Sequence, residues 1–268
     1  MSQIILPGDS LAELTQLESA VTIGPGIYKS PRSQNIIPLH AGILKEVTLN
    51  KKTQEKLIYV DSNSKRYIPQ ANDLVIGIVI GTYSDAFKVS LQEFSMPVQL
   101  SMMAFPNATK KNRPNIKVGQ AVYARVSEAV PEVATEIECI DPETGKDGGF
   151  GALDEAGYLF DVNMNFAREL LFNKSSVFLE KLASRAAFEI AIGINGKVWI
   201  KCGATPDPSI AKEEDKEDVD MDKDLTAARV NDMKMTLAAA NYLISCQYIE
   251  AAEAGEALKK AFRGTTKA

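Results

Sequence analysis

Three cations lie close together in one short stretch of the sequence. Lys110, Lys111 and Arg113 stand between Pro106 and Pro114, two residues that restrict the backbone of the segment. Ammonium and guanidinium groups bind phosphate oxygens, and an arginine can also stack on a nucleobase. If this stretch is a loop, its cations could contact successive phosphates of a single-stranded nucleic acid. An exposed basic loop that binds nothing is equally compatible with the local sequence.

Carboxylates suggest a second kind of chemistry. Glu136 and Glu138 fall on one face of a predicted strand, and Asp141 follows them closely. Such acids could hold a metal ion for hydrolysis, although two acids on one strand face are more often simply solvated. The one histidine, His40, lies among turn residues without a Ser, Cys or acid motif beside it, which favours a structural or surface role. No P-loop, zincin or nucleophile-elbow motif is present.

Five strand-like segments surround the basic stretch. They are rich in Val, Ile and aromatic residues, are separated by Gly, Pro, Asn, Asp and Ser, and cover residues 74–80, 86–91, 98–102, 121–126 and 135–139. Five strands in about 65 residues are typical of a small closed barrel of the OB type, whose loops often hold single-stranded nucleic acid. The sequence therefore predicts an RNA-binding barrel with the cations in one of its loops.

A small β-rich unit precedes the barrel. Pro7-Gly8-Asp9-Ser10 and Gly24-Pro25-Gly26 are typical of turns. The second is too short and proline-stiff to be a phosphate-binding glycine loop. Residues 41–49 and 57–60 predict a hairpin.

Helical and strand-like patterns alternate after residue 145. Strand-like residues at 157–160 precede two predicted helices, the first capped by Asn163 or Asn165 and the second by Ser175 or Ser176. Counted from the strand at 157–160, the elements follow in the order strand, helix, helix, strand, strand, helix. This order is that of a eukaryotic-type KH domain.

Two alternating runs meet at Asn195-Gly196, which predicts a hairpin with a type I′ turn. Trp199 alternates with apolar neighbours in the second run, so we expect it to pack in a core or between domains.

After the second run, one apolar stripe predicts a long amphipathic helix, interrupted near Gly255. The stripe consists of Met233, Leu237, Ala240, Ile244, Gln247 and Ala251.

The net charge of −5 is unevenly distributed. Residues 207–224 contain nine acids and three lysines, so the rest of the chain carries +1, and whole-chain acidity does not argue against RNA. We interpret this segment as a disordered surface insertion.

The three cysteines are widely spaced, which argues against a disulfide framework or a zinc site. Pro7, Gly8 and Asp9 stand where a signal peptide would need an apolar core, so we expect an intracellular protein.

The predicted fold class is mixed β and α+β. We expect a small N-terminal β domain over residues 1–65 and a central OB-fold barrel over residues 66–145. A KH-type α+β domain with a long C-terminal helix is expected over residues 146–268.

The ordered set of motifs resembles the S1/KH cap subunits of the eukaryotic RNA exosome. The resemblance covers residues 1–203 without a large gap, and the order of the motifs is more specific than any single S1 or KH match. The matching motifs are Pro7-Gly8-Asp9, Gly24-Pro25-Gly26-Ile27-Tyr28, Ser64-Lys65-Arg66-Tyr67-Ile68-Pro69, Asp73, Val75-Ile76-Gly77, Ile80-Gly81-Thr82, Lys88-Val89-Ser90-Leu91, Ala104-Phe105-Pro106-Asn107-Ala108, Lys110-Lys111-Asn112-Arg113-Pro114, Val118-Gly119, Val122-Tyr123-Ala124-Arg125-Val126, Glu136-Ile137-Glu138-Cys139, Asp161-Val162-Asn163, Asn165-Phe166-Ala167-Arg168 and Gly193-Ile194-Asn195-Gly196-Lys197-Val198-Trp199.

The resemblance implies a non-catalytic subunit without cofactor or metal. In that family the N-terminal and KH domains help seat the cap on a ring of RNase PH-like subunits. The S1 loop faces the entrance through which single-stranded RNA reaches a separate 3′→5′ exoribonuclease. By position, the implied RNA contacts are Lys110, Lys111, Asn112 and Arg113. The resemblance also implies other cap subunits as partners, no membrane partner, rRNA processing and RNA degradation, and a location in nucleus, nucleolus and cytoplasm.

One departure from a general KH domain concerns its phosphate clamp. That clamp is a Gly-x-x-Gly loop between two helices, whereas Gly193-Ile194-Asn195-Gly196 lies in the predicted hairpin and Phe172-Asn173-Lys174-Ser175 joins the helices without glycine. We therefore expect a structural role for the Gly-Ile-Asn-Gly segment. Two other functions stay open: a stand-alone S1/KH factor in translation or ribosome assembly, and a metal-dependent nuclease using Glu136, Glu138 and Asp141.

Overall fold

The described part of the chain forms two compact units. A computed structural model describes residues 3–11, 21–50, 55–83, 85–109, 111–130, 132–173, 176–203 and 221–263. The predictions for Lys110 and for residues 207–220 therefore lie outside the described residues. The two units are Met1–Lys65 and Arg66–Ala268, and each is described by itself.

The N-terminal unit is built from short β-strands. Its described strands are β1 (Gln3–Ile5), β2 (Val21–Ile23), β3 (Ile27–Lys29), β4 (Ile36–Pro38), β5 (Gly42–Asn50) and β6 (Glu55–Asp61). One sheet has the order β1-β5-β6-β2, and β3 pairs with β4. The predicted hairpin is confirmed, because β5 and β6 are antiparallel with Leu44 opposite Val60. Gly8 and Gly26 adopt positive φ angles of 92° and 81°, as the two predicted turns require.

The second unit begins with the predicted barrel. Its strands are β7 (Leu74–Thr82), β8 (Ala86–Ser90), β9 (Val98–Ser101), β10 (Ala121–Glu128), β11 (Glu136–Glu138) and β12 (Gly151–Ala152). The sheet order is β11-β9-β8-β7-β10-β12, and a further pairing of β11 with β10 closes five strands into a barrel. Five strands lie where the sequence predicts them, and β12 is an addition.

Alternation along the strands explains the barrel core. In β10 the side chains of Val122, Ala124 and Val126 are fully buried, while their neighbours are less so. Successive strand residues point to opposite faces, so one apolar set fills the interior. Phe87 and Leu100, a cross-strand pair on β8 and β9, complete the same core.

The C-terminal part has the order predicted for a KH domain. Its elements are β13 (Tyr158–Asp161), α1 (Met164–Phe172), α2 (Val177–Ala183), β14 (Phe188–Ile192), β15 (Lys197–Cys202), α3 (Met221–Cys246) and α4 (Ala254–Ala261). The three strands form an antiparallel sheet in the order β13-β15-β14. We call β13 to α4 the C-terminal domain.

The predicted starts of α1 and α2 are at the right residues, but the predicted side-chain caps are not formed. Asn163 and Ser176 are the N-cap residues of α1 and α2, yet neither side chain makes a capping hydrogen bond. Instead the backbone N–H of Asn163 donates to Oε1 of Gln247, 3.0 Å away, which ties the start of α1 to the end of α3. This bond is not a cap, since a capping side chain accepts the N–H of the second or third helical residue. It is a tertiary contact that holds the start of α1 in place.

The turn of the β14–β15 hairpin differs from the predicted type I′ turn. Gly196 has a positive φ of 84°, whereas Asn195 does not. The N–H of Gly196 donates to the carbonyl of Gly193 and the N–H of Gly193 to that of Lys197, at 3.0 and 2.8 Å. This pattern is that of a three-residue loop with one left-handed glycine. The hairpin prediction is confirmed and the turn type is wrong.

Helix α3 buries part of the predicted stripe, together with neighbouring residues that the stripe did not include. Ala240 is buried and Ile244 packs against the core of the C-terminal domain, as predicted. Met233 and Leu237 are 63% and 42% exposed. The buried residues also include Met235, Ala239 and Tyr242, which pack in the core of the C-terminal domain. Exposed and buried positions both carry apolar residues, so the helical period alone could not choose between them. The helix also ends at Cys246, before the predicted Ala251, and its first four residues replace the end of the predicted disordered insertion.

Asn195 joins the barrel to the C-terminal domain. Its side-chain amide donates to the carbonyls of Ile76 and Leu91 at 2.8 and 2.7 Å. Its Oδ1 accepts the backbone N–H of Ile76 at 3.2 Å. The neighbouring N–H of Ile194 donates to the carbonyl of Leu74, 2.8 Å away. A hairpin loop of one domain therefore satisfies backbone groups of the other in a buried site.

Trp199 packs in the same junction, as the sequence predicts. It is 6% exposed and forms a small cluster with Ile76 and Ala191. Its indole N–H donates to the carbonyl of Asp154 at 3.2 Å. A Cβ added to Gly157 would lie 2.2 Å from the indole ring, so only glycine allows this close approach.

No helix among the described residues is long and apolar enough to cross a membrane.

Candidate nucleic-acid interface

The predicted basic loop lies at one end of the barrel. It joins β9 to β10, and the short loop between β7 and β8 lies at the same end, because Ala86 pairs with Ser101. The N–H of Met102 donates to the carbonyl of Asp85 at 3.0 Å and fastens the two loops together. We call this the cationic end of the barrel.

The base of the basic loop is anchored in the barrel. The carbonyl of Ala104 accepts the N–H of Cys139 at 2.8 Å, and the N–H of Gly119 donates to the carbonyl of Val79 at 2.7 Å. Ile116 is buried, and Phe105 packs against the barrel core. Anchoring on both sides leaves only the tip, of which residues 107–109 and 111–113 are described, to project.

The tip is a compact turn with its own hydrogen bonds. The N–H of Thr109 donates to the carbonyl of Asn112 at 3.1 Å, and the N–H of Asn112 donates to Oγ1 of Thr109 at 3.0 Å. The side-chain amide of Asn112 reaches the carbonyl of Asn107 at 3.4 Å. Asn107 has a positive φ of 56°, which asparagine tolerates better than most residues. Asn112 is exposed, but its side chain serves the shape of the loop in this structure.

The described cations of the loop are accessible. Lys111 is exposed. The side chain of Arg113 is 49% exposed, and its Nη2 lies 3.7 Å from Oδ1 of Asp85. Its Nη1 lies 3.9 Å from Sδ of Met102. The structure thus places Lys111, Asn112 and Arg113 together on one projecting turn.

Two residues of this end were not predicted from the sequence. Tyr83 and Asp85 belong to the loop between β7 and β8, and the Tyr83 side chain is 56% exposed. Loops of a meandering barrel alternate between its two ends, so the first and third loops are neighbours. Counting loops in this way would have placed both residues beside the cations.

The opposite end of the barrel has a groove with several exposed apolar side chains, beside the charged Arg66 and Glu132. The groove has a volume of about 530 Å³ and lies between the loop after β8 and the loop after β10, and Ile68, Met96, Val130 and Val133 are among its lining residues. These four side chains are all more than a third exposed. The two ends of one barrel therefore differ in chemistry.

The carboxylates considered for a metal site have other contacts. Glu138 forms an ion pair with Arg125. Asp141 accepts a hydrogen bond from the Thr144 hydroxyl at 2.7 Å, and this bond is the first cause that holds the pKa of Asp141 below its usual range. Within the described ranges, no group of three His, Cys, Asp or Glu residues is arranged to hold a metal ion.

The Gly-Ile-Asn-Gly segment is part of the domain junction. Gly193, Asn195 and Gly196 are buried, and Ile194 packs against the barrel core. A loop buried in this way cannot clamp a phosphate backbone. The expected structural role is confirmed by the three hydrogen bonds of Asn195.

Comparison with known families accounts for most of the chain. Residues 67–151 match the model described as exosome complex component RRP40, S1 domain. Residues 157–206 match a KH domain model, and residues 21–66 match the model of the exosome complex exonuclease Rrp40 N-terminal domain.

Relatives that match most of the chain carry one name. Exosome complex component RRP40 of Saccharomyces cerevisiae is 53% identical over 202 residues, which are 75% of this chain and 82% of that protein. The Schizosaccharomyces pombe relative is 36% identical over 197 residues, 72% of this chain and 79% of its own length. The human relative is 30% identical over 223 residues, 75% of this chain and 79% of its own. The chain therefore belongs to the RRP40 family of exosome complex components, with an N-terminal domain, an S1 barrel and a KH domain in that order.

Proposed function

We propose that this chain is a non-catalytic RNA-binding subunit of an exosome. It guides single-stranded RNA past the cationic end of its S1 barrel toward a separate 3′→5′ exoribonuclease. The observation that carries this proposal is the projecting turn with Lys111 and Arg113 at its tip. The anchored base of the turn supports it, since cations held by a rigid scaffold lose little entropy on meeting phosphates.

The proposed contacts follow the chemistry of the cationic end. Lys110, Lys111 and Arg113 bind successive phosphates, and Asn112 lies beside them. Tyr83 has an exposed ring on the adjoining loop and stacks on a base, a contact that tolerates any sequence. A guiding surface needs this tolerance, because it must accept every segment of a moving RNA.

The remaining parts of the chain hold the subunit in its complex. In this proposal the N-terminal and KH domains bind RNase PH-like ring subunits and neighbouring cap subunits. The domains extend over residues 1–65, 66–145 and 146–268. The complex acts in rRNA processing and RNA degradation in the nucleus, nucleolus and cytoplasm. Co-purification of ribosomal proteins instead of RNase PH-like proteins would favour a stand-alone S1/KH factor.

RNA binding is tested by reversing the charge of two loop residues. The variant with Lys111→Glu and Arg113→Glu should bind a labelled 20-nucleotide oligouridine at least about tenfold more weakly, in the full chain and in the reconstituted complex. The dependence of log K on log salt should also become shallower by about 1.4, since each single-strand phosphate contact contributes about 0.7. Fluorescence anisotropy at several salt concentrations measures both quantities.

A matched control removes the same charge elsewhere. Lys259 and Lys260 are exposed on α4, and the variant with Lys259→Glu and Lys260→Glu has the same net charge as the loop variant. It should retain most of its RNA affinity. Equal losses in the two variants would show a nonspecific charge effect and would count against the loop.

The absence of catalysis is tested on the purified chain. Incubation with labelled RNA and Mg²⁺ should release no nucleotides. Release that disappears in a variant with Glu136→Gln and Glu138→Gln would establish the nuclease alternative instead.

A further inference from the structure

An acid lies among the cations of the proposed RNA-binding end. The carboxylate of Asp85 is 87% exposed and approaches the guanidinium of Arg113 to 3.7 Å. A negative charge at this place repels phosphates. Asp85 therefore acts against the attraction that Arg113 exerts on a phosphate.

The backbone holds Asp85 in position. Its carbonyl accepts the N–H of Met102 at 3.0 Å, and the N–H of Tyr83 donates to the carbonyl of Ala86 at 2.7 Å across the short loop. Arg113 contacts Sδ of the same Met102. The closeness of acid and guanidinium is thus set by the joined ends of β8 and β9.

We propose that Asp85 is an internal counter-ion that occupies the phosphate position of Arg113 and gives it up when RNA binds. This inference rests on the proposed RNA-binding function of the loop. Carboxylate and phosphate oxygens both match the donor geometry of a guanidinium group. The pair is solvent-exposed, and exposed ion pairs are weak, so a phosphate displaces the carboxylate easily.

The counter-ion has two consequences for a moving RNA. In the free protein it orients the guanidinium toward the loop that also carries Tyr83. In the complex it competes with each bound phosphate, which weakens binding and speeds release. A subunit that passes RNA onward needs contacts that form and break repeatedly.

The test is a double-mutant cycle on the full chain with the labelled 20-nucleotide oligouridine. Asp85→Asn should tighten binding about two- to fivefold, the range expected for release of an arginine from an exposed ion pair. Arg113→Ala should weaken binding. In the Arg113→Ala background the gain from Asp85→Asn should be smaller, because only the direct repulsion of phosphates by the acid is then removed.

Glu93→Gln is the charge-matched control. Glu93 is exposed in the loop between β8 and β9, at the end of the barrel opposite the basic loop. If the general charge of the protein were the cause, Glu93→Gln and Asp85→Asn would tighten binding equally, and that result would overturn the inference. A gain from Asp85→Asn that is undiminished without Arg113, or a loss of affinity in Asp85→Asn, would also overturn it.

The same measurements separate this inference from the proposed function. If the Lys111 and Arg113 charge reversals leave RNA affinity unchanged, the loop does not bind RNA and both proposals fail. If those reversals weaken binding while Asp85→Asn has no effect, only the counter-ion proposal fails. Circular dichroism of each variant confirms that the fold is retained.

Discussion

Two loops of the second unit have sequences that suggest nucleic-acid contact, and the fold treats them in opposite ways. The described residues of the tip, 107–109 and 111–113, project from the barrel, and the cations among them are open to solvent. The Gly193–Gly196 loop carries a Gly-x-x-Gly pattern but is buried, with Asn195 bonded to barrel carbonyls at 2.8 and 2.7 Å. Whether a loop can bind RNA depends on what surrounds it, because a phosphate can reach only exposed donors.

The asparagines of the two loops, Asn112 and Asn195, also differ in the groups that they bind. The side chain of Asn112 makes one long hydrogen bond, 3.4 Å, within its own exposed turn. Asn195 satisfies three backbone groups of another domain in a buried site. The first shapes a binding surface, and the second holds two domains together. Changes in the two loops should therefore separate RNA affinity from stability.

The largest expected effect comes from Asn195→Ala. It leaves two buried carbonyls and one buried N–H without partners, which should lower the free energy of unfolding by about 3 to 5 kcal/mol. Urea unfolding followed by fluorescence reports on the junction directly, since Trp199 is the only tryptophan and is buried there.

Asn112→Ala is the matched change in the exposed loop. It should lower the free energy of unfolding by less than about 1 kcal/mol, because water can replace the lost contact. Equal destabilisation by the two substitutions would remove the distinction between the loops.

A smaller effect is expected from Tyr83→Ala at the cationic end. Loss of one stacked base should weaken oligouridine binding by about 1 kcal/mol, roughly fivefold, without changing the melting temperature. Tyr83→Phe keeps the ring and should bind like the unchanged protein. If Tyr83→Phe loses as much affinity as Tyr83→Ala, the hydroxyl rather than ring stacking is responsible.

The smallest effect concerns the acid stability of the junction. The Asp154 carboxylate accepts hydrogen bonds from the N–H of Ala156 at 2.9 Å and from Nζ of Lys201 at 2.6 Å, and these bonds lower the pKa of Asp154. A lowered pKa gives stability that is present above the usual pKa of about 4 and is lost as the pH falls through the folded value.

Asp154→Asn should therefore reduce stability at pH 7 and flatten its decline between about pH 5 and pH 2. The change should be below about 1 kcal/mol, since the carboxylate is half exposed and solvent screens it. Melting curves across this pH range measure it, with Glu155→Gln as the exposed neighbouring control. An unaltered pH profile in Asp154→Asn would show that the pair does not support the junction.

Local patterns were sufficient for much of the fold. The five barrel strands, the two hairpins and the order of helices follow from alternation, turn residues and the helical period, which act over a few neighbours. The cations of the projecting loop were found for the same reason, since Pro106 and Pro114 frame them in the sequence.

Predictions that depended on distant partners were wrong or missing. Met233 and Leu237 were assigned to the buried stripe of α3, but both are exposed, and Met235, Ala239 and Tyr242 pack in the core of the C-terminal domain instead. Asn195 was expected to adopt a left-handed turn conformation, and its bonds to Ile76 and Leu91 accompany a different turn. Asp85 was overlooked because its partner Arg113 lies 28 positions away in the sequence.

The sequence by itself determined where strands, helices and turns form and which segment concentrates positive charge, because these depend on residues close together along the chain. The tertiary structure alone decided which barrel groups the Gly193–Gly196 loop contacts, which further residues of α3 are buried, and which acid meets Arg113. Those choices depend on groups that become neighbours only when the barrel closes and the KH domain packs against it. The local sequence allows several arrangements equally well, and the free energy of burial and pairing decides between them.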